Sequence, residues 1–470
     1  MARSAAVVSK PGPDAPLVVI GGASGFVGRA LAGVLAERFR VAGMSRRAAP
    51  AEPPFSEWRR CDLLNLREAE TALEGARYAI YLVHSMMPSA RLTQGSFSDL
   101  DLLCADNFAR AAALAGVEQI VYLGGLLPEG KELSPHLQSR HEVEQTLARH
   151  GVPVTTLRAG LVLGAGGSSF EMLTKLVRRL PAMVCPRWTL NRTQPVALDD
   201  VVCLLSFAVG RPDCLGETFD VGAPDTITYR DLMALCAELL GVKRVMIPVP
   251  FFSPSLSRLW VTLVTGASQE LVGPLVESLR HEMVARDQRL ATMAGLSPMP
   301  LREALSVALA IDSVEPSAPR RPKAKTVRTV SLVESVQRMR LPPNRDARWA
   351  AAEYARWLPR ALRGWIRAEV DGEENIRFYA PLLARALLVL MHAPTGSTRD
   401  RQLYFLGDGL LSRANEGARF EMRQVLDGQT LLVAIHDFRP RLPWYIYIAT
   451  QAPVHARVMA AFRRRLAHAS

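Results

Sequence analysis

The stretch that most constrains this chain lies near its start, Pro16-Leu-Val-Val-Ile-Gly-Gly-Ala-Ser-Gly-Phe-Val-Gly28. Leu17 to Ile20 is a short apolar run, the pattern of a strand buried on both faces, and it breaks directly into glycines. From Phe26 the spacing turns helical: Phe26, Val27, Ala30, Leu31, Val34 and Leu35 share one stripe, with Arg29, Glu37 and Arg38 off it. Strand, glycine turn and helix start are the parts of a pyrophosphate site. The turn lets backbone approach the phosphates, and the free N–H groups of the helix start point at the anion. Gly22, Gly25 and Gly28 stand three apart, one residue tighter than the usual G-x-G-x-x-G. Gly22, Ala23, Ser24, Gly25, Phe26 and Val27 are therefore the candidate phosphate cradle. A packing turn without a ligand is the alternative.

The order of elements continues as strand, helix, strand. Strand patterns recur at 40–44, 78–83, 119–123 and 154–158, with a further strand region at 58–61 and helical stretches at 66–74 and 98–115 between them. Alternating units of this kind predict a doubly wound parallel sheet with helices on both faces and right-handed crossovers. Residues 1–15 read as a disordered lead-in without the apolar core of a signal peptide. Residues 16–312 read as one α/β domain whose less regular part, 168–312, caps the open end of the sheet. Residues 313–326, with three prolines and four basic residues before Thr326, read as a linker. Beyond it, strand patterns separated by Asp371-Gly372 and Asp427-Gly428 predict an antiparallel meander in 327–470. This second, α+β domain closes on a long amphipathic helix from about Trp444 to Leu466.

Charge divides the chain at the same place. The whole carries 57 Lys+Arg against 45 Asp+Glu, a net charge of +12. Counted along the chain, 31 of each lie before Ser313, so all the excess falls in the second part. Such a surface suits an anionic partner or the peripheral face of a membrane, with a merely solvated arginine-rich surface as the alternative. No nucleic acid is expected as partner. The six cysteines show no C-x-x-C pair and no histidine at zinc spacing, so no metal is expected and a reducing, cytoplasmic setting is. Phe251 to Val264 has an apolar face that suits an interfacial helix or packing against the second domain.

The second strand ends Ser45-Arg46-Arg47, where an NAD-binding chain carries an acid for the ribose 2′-hydroxyl. Two guanidiniums instead suit the 2′-phosphate of NADP(H), through charge-assisted and bidentate bonds.

The glycine turn, the arginines after the second strand, Cys61-Asp62-Leu63 and Ile80-Tyr-Leu-Val-His-Ser-Met86 together resemble the short-chain dehydrogenase/reductase superfamily, within it the atypical, NmrA-like and epimerase-like branch. Arg158 to Gly164, Gln194 to Asp200 and Phe219 to Gly222 extend the resemblance over about residues 16–312. It implies a Rossmann domain in which Asp62 and Leu63 flank the adenine, and Leu82, Val83 and His84 pass near the nicotinamide end. Residues 330–470 resemble, less specifically, a domain of helix-grip (SRPBCC-like) form that follows this NADP-binding type.

The catalytic set departs from the family. Active members have a Ser or Thr after the fifth strand and a YxxxK pair on the next helix. Here Gly124-Gly125 stands in the first place and His136-x-x-x-Arg140 in the second. A histidine can move a proton near neutrality, whereas a guanidinium stays protonated. His136 and Arg140 are the candidate catalytic residues, with structural or cofactor-contacting roles as the alternative. His436-Asp437 is expected to cap a turn, His455 to be exposed or at an edge, and Trp349, Tyr354, Trp357, Trp365, Trp444, Tyr445 and Tyr447 to form core. Three functions remain open: an NADP(H)-dependent oxidoreductase of unknown substrate, a non-catalytic NADP(H)-binding regulator, and a carrier of a lipid-like small molecule between the second domain's sheet and its long helix.

Overall fold

The computed structural model describes residues 12–49, 51–84, 92–128, 130, 132–249, 273, 276–314 and 332–468. Phe251 to Val264 and most of the expected linker lie outside these residues. The chain forms two compact units, Met1–Met87 with Cys104–Lys323, and Pro88–Leu103 with Ala324–Ser470.

The first unit is built on a seven-stranded parallel sheet. Its strands are β1 (Leu17–Gly21), β2 (Arg40–Ser45), β3 (Glu57–Arg60), β4 (Tyr78–Tyr81), β5 (Gln119–Gly125), β6 (Val154–Ala159) and β7 (Thr218–Val221). Their spatial order is 3-2-1-4-5-6-7, all parallel. The direction of winding reverses between β1 and β4, and open α/β sheets bind ligands outside the strand ends at that switch point. Central strands need apolar side chains on both faces. Val18 and Ile20 face one core with helix α1 (Phe26–Leu35), while Val19 faces another with Phe108 and Leu73. All three of these β1 side chains are fully buried, each contributing about 1.5–3 kcal/mol.

The cap has its own core. Phe170, Leu173 and Val177 of helix Ser168–Arg179 pack with Leu232, Met233 and Cys236 of Tyr229–Leu239, and with Leu305 of Leu301–Val314. The 194–200 motif ties it down. The Gln194 amide donates to the Ala223 carbonyl and accepts from the Ala285 N–H, and the Asp200 carboxylate accepts from the Met299 N–H at 2.8 Å.

In the second unit, strand Val333–Arg340 is followed by helix Ala347–Ala361 and a six-strand antiparallel meander. Val333–Arg340 then pairs with the last meander strand, Thr430–Phe438. Helix Gln451–Ala467 closes the chain, and its Met459, Phe462 and Leu466 pack with Tyr354, Phe420 and Val433 in one core. A short strand, Leu92–Gln94, pairs parallel with Val333–Ser335 at the sheet edge. A single boundary at 313–326 has no place for this strand.

Several expectations change here. The closing helix is broken at Thr450 into Trp444–Ala449 and Gln451–Ala467. Trp365, Trp444 and Tyr445 are exposed, not core, whereas Tyr354 and Tyr447 are buried. His436 does not cap a turn. It is fully buried, its Nδ1 3.0 Å from Glu334, in a charged layer where Glu421 bridges Arg401 and Arg423. His455 packs inward, with Nε2 3.3 Å from the Ser335 hydroxyl.

Candidate cofactor and active site

β1 delivers the chain to a turn that only glycine can make. Gly22 sits at φ +86°, and a Cβ there would lie 2.9 Å from the Leu82 carbonyl oxygen. A Cβ at Gly28 would lie 2.5 Å from the Gly22 oxygen. Gly22 therefore lets the turn fold tightly against the end of β4, where the Leu82 N–H donates to the Gly21 carbonyl, and Gly28 lets α1 begin close upon that turn. Gly25 is the N-cap of α1 with no side-chain capping bond, and no acid occupies the first turn. Ser24 and Gly25 are exposed while Ala23 is buried. The first-turn N–H groups, orphaned by helix geometry, remain as donors for an anion. The Phe26 ring turns aside, packing where Gly164 and Gly167 have no Cβ to obstruct it.

Ser45, Arg46 and Arg47 follow β2 on the neighbouring strand end. The Ser45 hydroxyl and the Trp58 indole N–H both donate to the Arg47 carbonyl, at 2.8 and 3.1 Å, fixing the backbone of this corner. Both guanidiniums are exposed, and neither has an acidic partner among the described residues. This is the donor set a 2′-phosphate needs, beside a helix start that suits a pyrophosphate, so the residues present fit NADP(H). On the other side, Asp62 accepts from the Leu64 N–H, and the Leu63 carbonyl accepts from the buried Asn107 amide at 2.7 Å. Asn107 lies on helix Phe97–Leu114, a fixture that its sequence context does not announce. Burial pushes the neighbouring Cys61 thiol up to about 12, so it stays protonated.

Beyond β4 the half-buried Leu82 and Val83 lead to His84, and beyond β5 helix α2 (Pro135–Leu147) begins. Ser134 is its N-cap, accepting from the Leu137 N–H and meeting the Ser278 hydroxyl at 3.0 Å. That places His136 in the first turn, and its ring centroid stands 5.2 Å from that of His84, at 43°. The sequence offers these two histidines separately, and the parallel sheet brings them together. Arg140, one turn on, donates from Nη2 to the Leu123 carbonyl and lies over the Tyr122 ring at 5.2 Å, while its buried Nη1 has no hydrogen-bond partner among the described residues. Among the described residues a Cβ at Gly125 would meet only Leu137 and Arg140, at 3.8 and 3.9 Å, so they do not forbid a serine there. The described residues contain no cluster able to hold a metal ion, and no described helix is long and apolar enough to cross a membrane.

The family model of the NAD dependent epimerase/dehydratase family matches residues 18–222. The auxiliary protein GraX of Staphylococcus aureus is 29% identical over 185 residues, 37% of this chain and 55% of that protein. The chain thus spans about half the length of the curated relative it matches. Among solved structures, the Citrobacter sp. triphenylmethane reductase complexed with NADP(H) superimposes with a TM-score of 0.50 at 18% identity, covering 62% of this chain and 99% of that one. The NADPH complex of an Escherichia coli quinone oxidoreductase gives 0.50 at 18%, covering 62% and 98%. A nucleoside-diphosphate-sugar epimerase from Staphylococcus aureus gives 0.50 at 14%, covering 62% and 99%. These structural likenesses establish the fold of the first unit. That fold is Rossmann-like, and the part of it that the NAD dependent epimerase/dehydratase family model matches is residues 18–222.

Proposed function

We propose that the first unit binds NADP(H) and is an atypical reductase in which His136, set against His84, handles the proton. In this reading the pyrophosphate rests on the Gly22–Val27 turn, and Arg46 and Arg47 hold the 2′-phosphate. Asp62 and Leu63 line the adenine, and Leu82 to His84 border the nicotinamide. When bound, the cofactor would supply hydride chemistry; the chain's own task is to orient it and to hold or deliver a proton. The approach of His84 and His136 beyond the ends of β4 and β5 is the observation that carries the reading. Imidazole is the side chain whose ordinary titration range suits proton exchange near neutrality. The substrate class that fits is a small carbonyl or quinone, and the Escherichia coli neighbour is itself a quinone oxidoreductase. NADPH consumption with a panel of quinones and aldehydes tests this: turnover that disappears in His136→Phe, with NADPH binding retained, supports it.

A second reading, a non-catalytic NADP(H)-binding regulator, is favoured by one feature. Gly124 and Gly125 offer no hydroxyl, and Arg140 is committed to the Leu123 carbonyl and the Tyr122 ring. NADPH binding without turnover on any of the panel would select it. For a small-molecule ligand of the second unit, the support is a cavity of about 570 Å³ beside helix Ala347–Ala361, lined by Arg356, Arg360, Ile366, Ile376 and Tyr404. That cavity does not lie against the C-terminal helix, where the sequence places it.

A further inference from the structure

One end of the second unit's sheet gathers residues that neither reading uses. Three connections meet there and are tied through the backbone. The Leu410 N–H donates to the Ala386 carbonyl at 2.9 Å, the Arg413 N–H to Arg439 at 3.0 Å, and the Arg441 N–H to Leu411 at 3.2 Å. Asp408 accepts from both Arg385 and Arg441, and Arg441 also donates from Nε to the Gly409 carbonyl. These bonds hold the three connections together, yet what they present is apolar. Leu382 is completely exposed and Leu383 nearly half exposed. The short helix Trp444–Ala449 reads Trp-Tyr-Ile-Tyr-Ile-Ala, and of its aromatic and branched residues only Tyr447 is buried. Trp444 is 53% and Tyr445 61% exposed, with Ile446 and Ile448 beside them. Exposed apolar residues gathered at one end of a sheet mark an interaction surface, and Trp and Tyr are the residues that prefer a boundary between water and hydrocarbon.

The charges around it identify the occupant. Arg385, Arg413, Arg439 and Arg441 stand against the carboxylates of Asp408 and Glu416, and neither Arg413 nor Arg439 has an acidic partner among the described residues. A second copy docked about a two-fold axis would bring arginine against arginine. A bilayer with anionic headgroups satisfies both features at once, taking the aromatic helix into its interface and the guanidiniums onto its phosphates. We propose that this end of the second unit docks on anionic membranes, with Trp444, Tyr445, Ile448 and Leu382 inserted and Arg413 and Arg439 at the headgroups.

The test is co-sedimentation of the full chain with vesicles of phosphatidylcholine mixed with phosphatidylglycerol, and of phosphatidylcholine alone. The expected result is binding to the anionic vesicles that weakens with added salt. Trp444→Ser combined with Tyr445→Ser should lower partitioning about tenfold or more, and Leu382→Ser, in a separate loop, should lower it too. Arg413→Gln with Arg439→Gln should weaken binding to the anionic vesicles only. No sedimentation of the wild type, or equal sedimentation of the aromatic double variant, overturns the proposal. So does a dimer in sedimentation velocity that the aromatic double variant dissolves, since the patch would then serve a second copy.

Discussion

Replacing Arg46 and Arg47 together by alanine should convert the proposed NADPH-preferring site into one that no longer distinguishes the two dinucleotides. Both side chains are exposed and lack acidic partners among the described residues, so their removal orphans no carboxylate. The corner itself is held by bonds to the Arg47 carbonyl from Ser45 and Trp58, which the substitution keeps. A charge-assisted bond contributes about 1.5–3 kcal/mol. Because these guanidiniums are hydrated in the free protein, the lower figure applies to each, giving about 3 kcal/mol for the pair, or roughly 150-fold in NADPH affinity. NADH has no phosphate at that position and should change by less than about twofold. Titration by nucleotide fluorescence reads both constants on the same preparations. Equal losses for the two nucleotides, or a wild type that binds NADH more tightly, would refute the assignment of these side chains to the 2′-phosphate.

Within α1, Gly28→Ala should destabilise by about 1–3 kcal/mol and abolish tight nucleotide binding, because the new methyl would press on the Gly22 carbonyl and the Ala23 Cα. Gly33→Ala in the same helix meets nothing within 4 Å and should stabilise by about 0.5–1 kcal/mol in thermal melts. Glu421→Gln should cost about 3–5 kcal/mol in urea unfolding, since it leaves the buried Arg401 and Arg423 without their shared carboxylate. Burial opposes ionisation of Glu421, yet Arg423 and Arg401 hold its carboxyl well below the ordinary range. Its contribution is therefore present above about pH 4.5 and is lost as acid brings the pH down through the folded value. His455 titrates the other way round: burial pushes its pKa down from 6.5 to about 4, so the fold holds it neutral. Stability should fall as pH drops from 6.5 toward 4, by up to about 3 kcal/mol. His455→Gln, which can keep the bond to Ser335, should flatten that limb; an unchanged pH profile would show that His455 is solvated.

What the sequence made legible is what local physics decides. Most strands of the parallel sheet emerge from apolar runs, the edge strand Glu57–Arg60 being the exception, and the glycine turn from a backbone that tolerates no Cβ at Gly22 and Gly28. Even the meander of the second unit follows from alternation and turn residues. The three-residue strand Leu92–Gln94 stayed hidden because so short a segment has no periodicity, and its partner, Val333–Ser335, lies far along the chain. His436 misled for a related reason. A histidine followed by aspartate at a strand end looks like a capped turn until one sees that Glu334, on a distant strand, supplies its charge partner. Trp444 and Tyr445 misled in the opposite sense, because composition alone cannot distinguish an aromatic that packs from one that is displayed.

The candidate site divides along the same line, and the division bears on function. Every residue proposed to hold the nucleotide sits at or just beyond the end of a strand whose place the winding rule fixes, so the candidate cradle is one that the sequence alone can nominate. The pairing of His84 with His136 could not, since each lies in a different connection and the register that singles out His136 says nothing of His84. Yet the order β1-β4-β5 is itself a consequence of that rule, and it sets the connections after β4 and β5 side by side. With glycines after β5 and no YxxxK pair on α2, this edge is still not without proton-carrying groups. His84 and His136 meet there, one from each connection, while Arg140 is held back under β5 by the Leu123 carbonyl. If this chain catalyses hydride transfer, the geometry assigns the proton to that imidazole pair and to Arg140 only a fixed positive charge. Arg140→Lys should then leave the pH dependence of turnover unchanged, whereas His136→Phe should abolish its histidine-range limb.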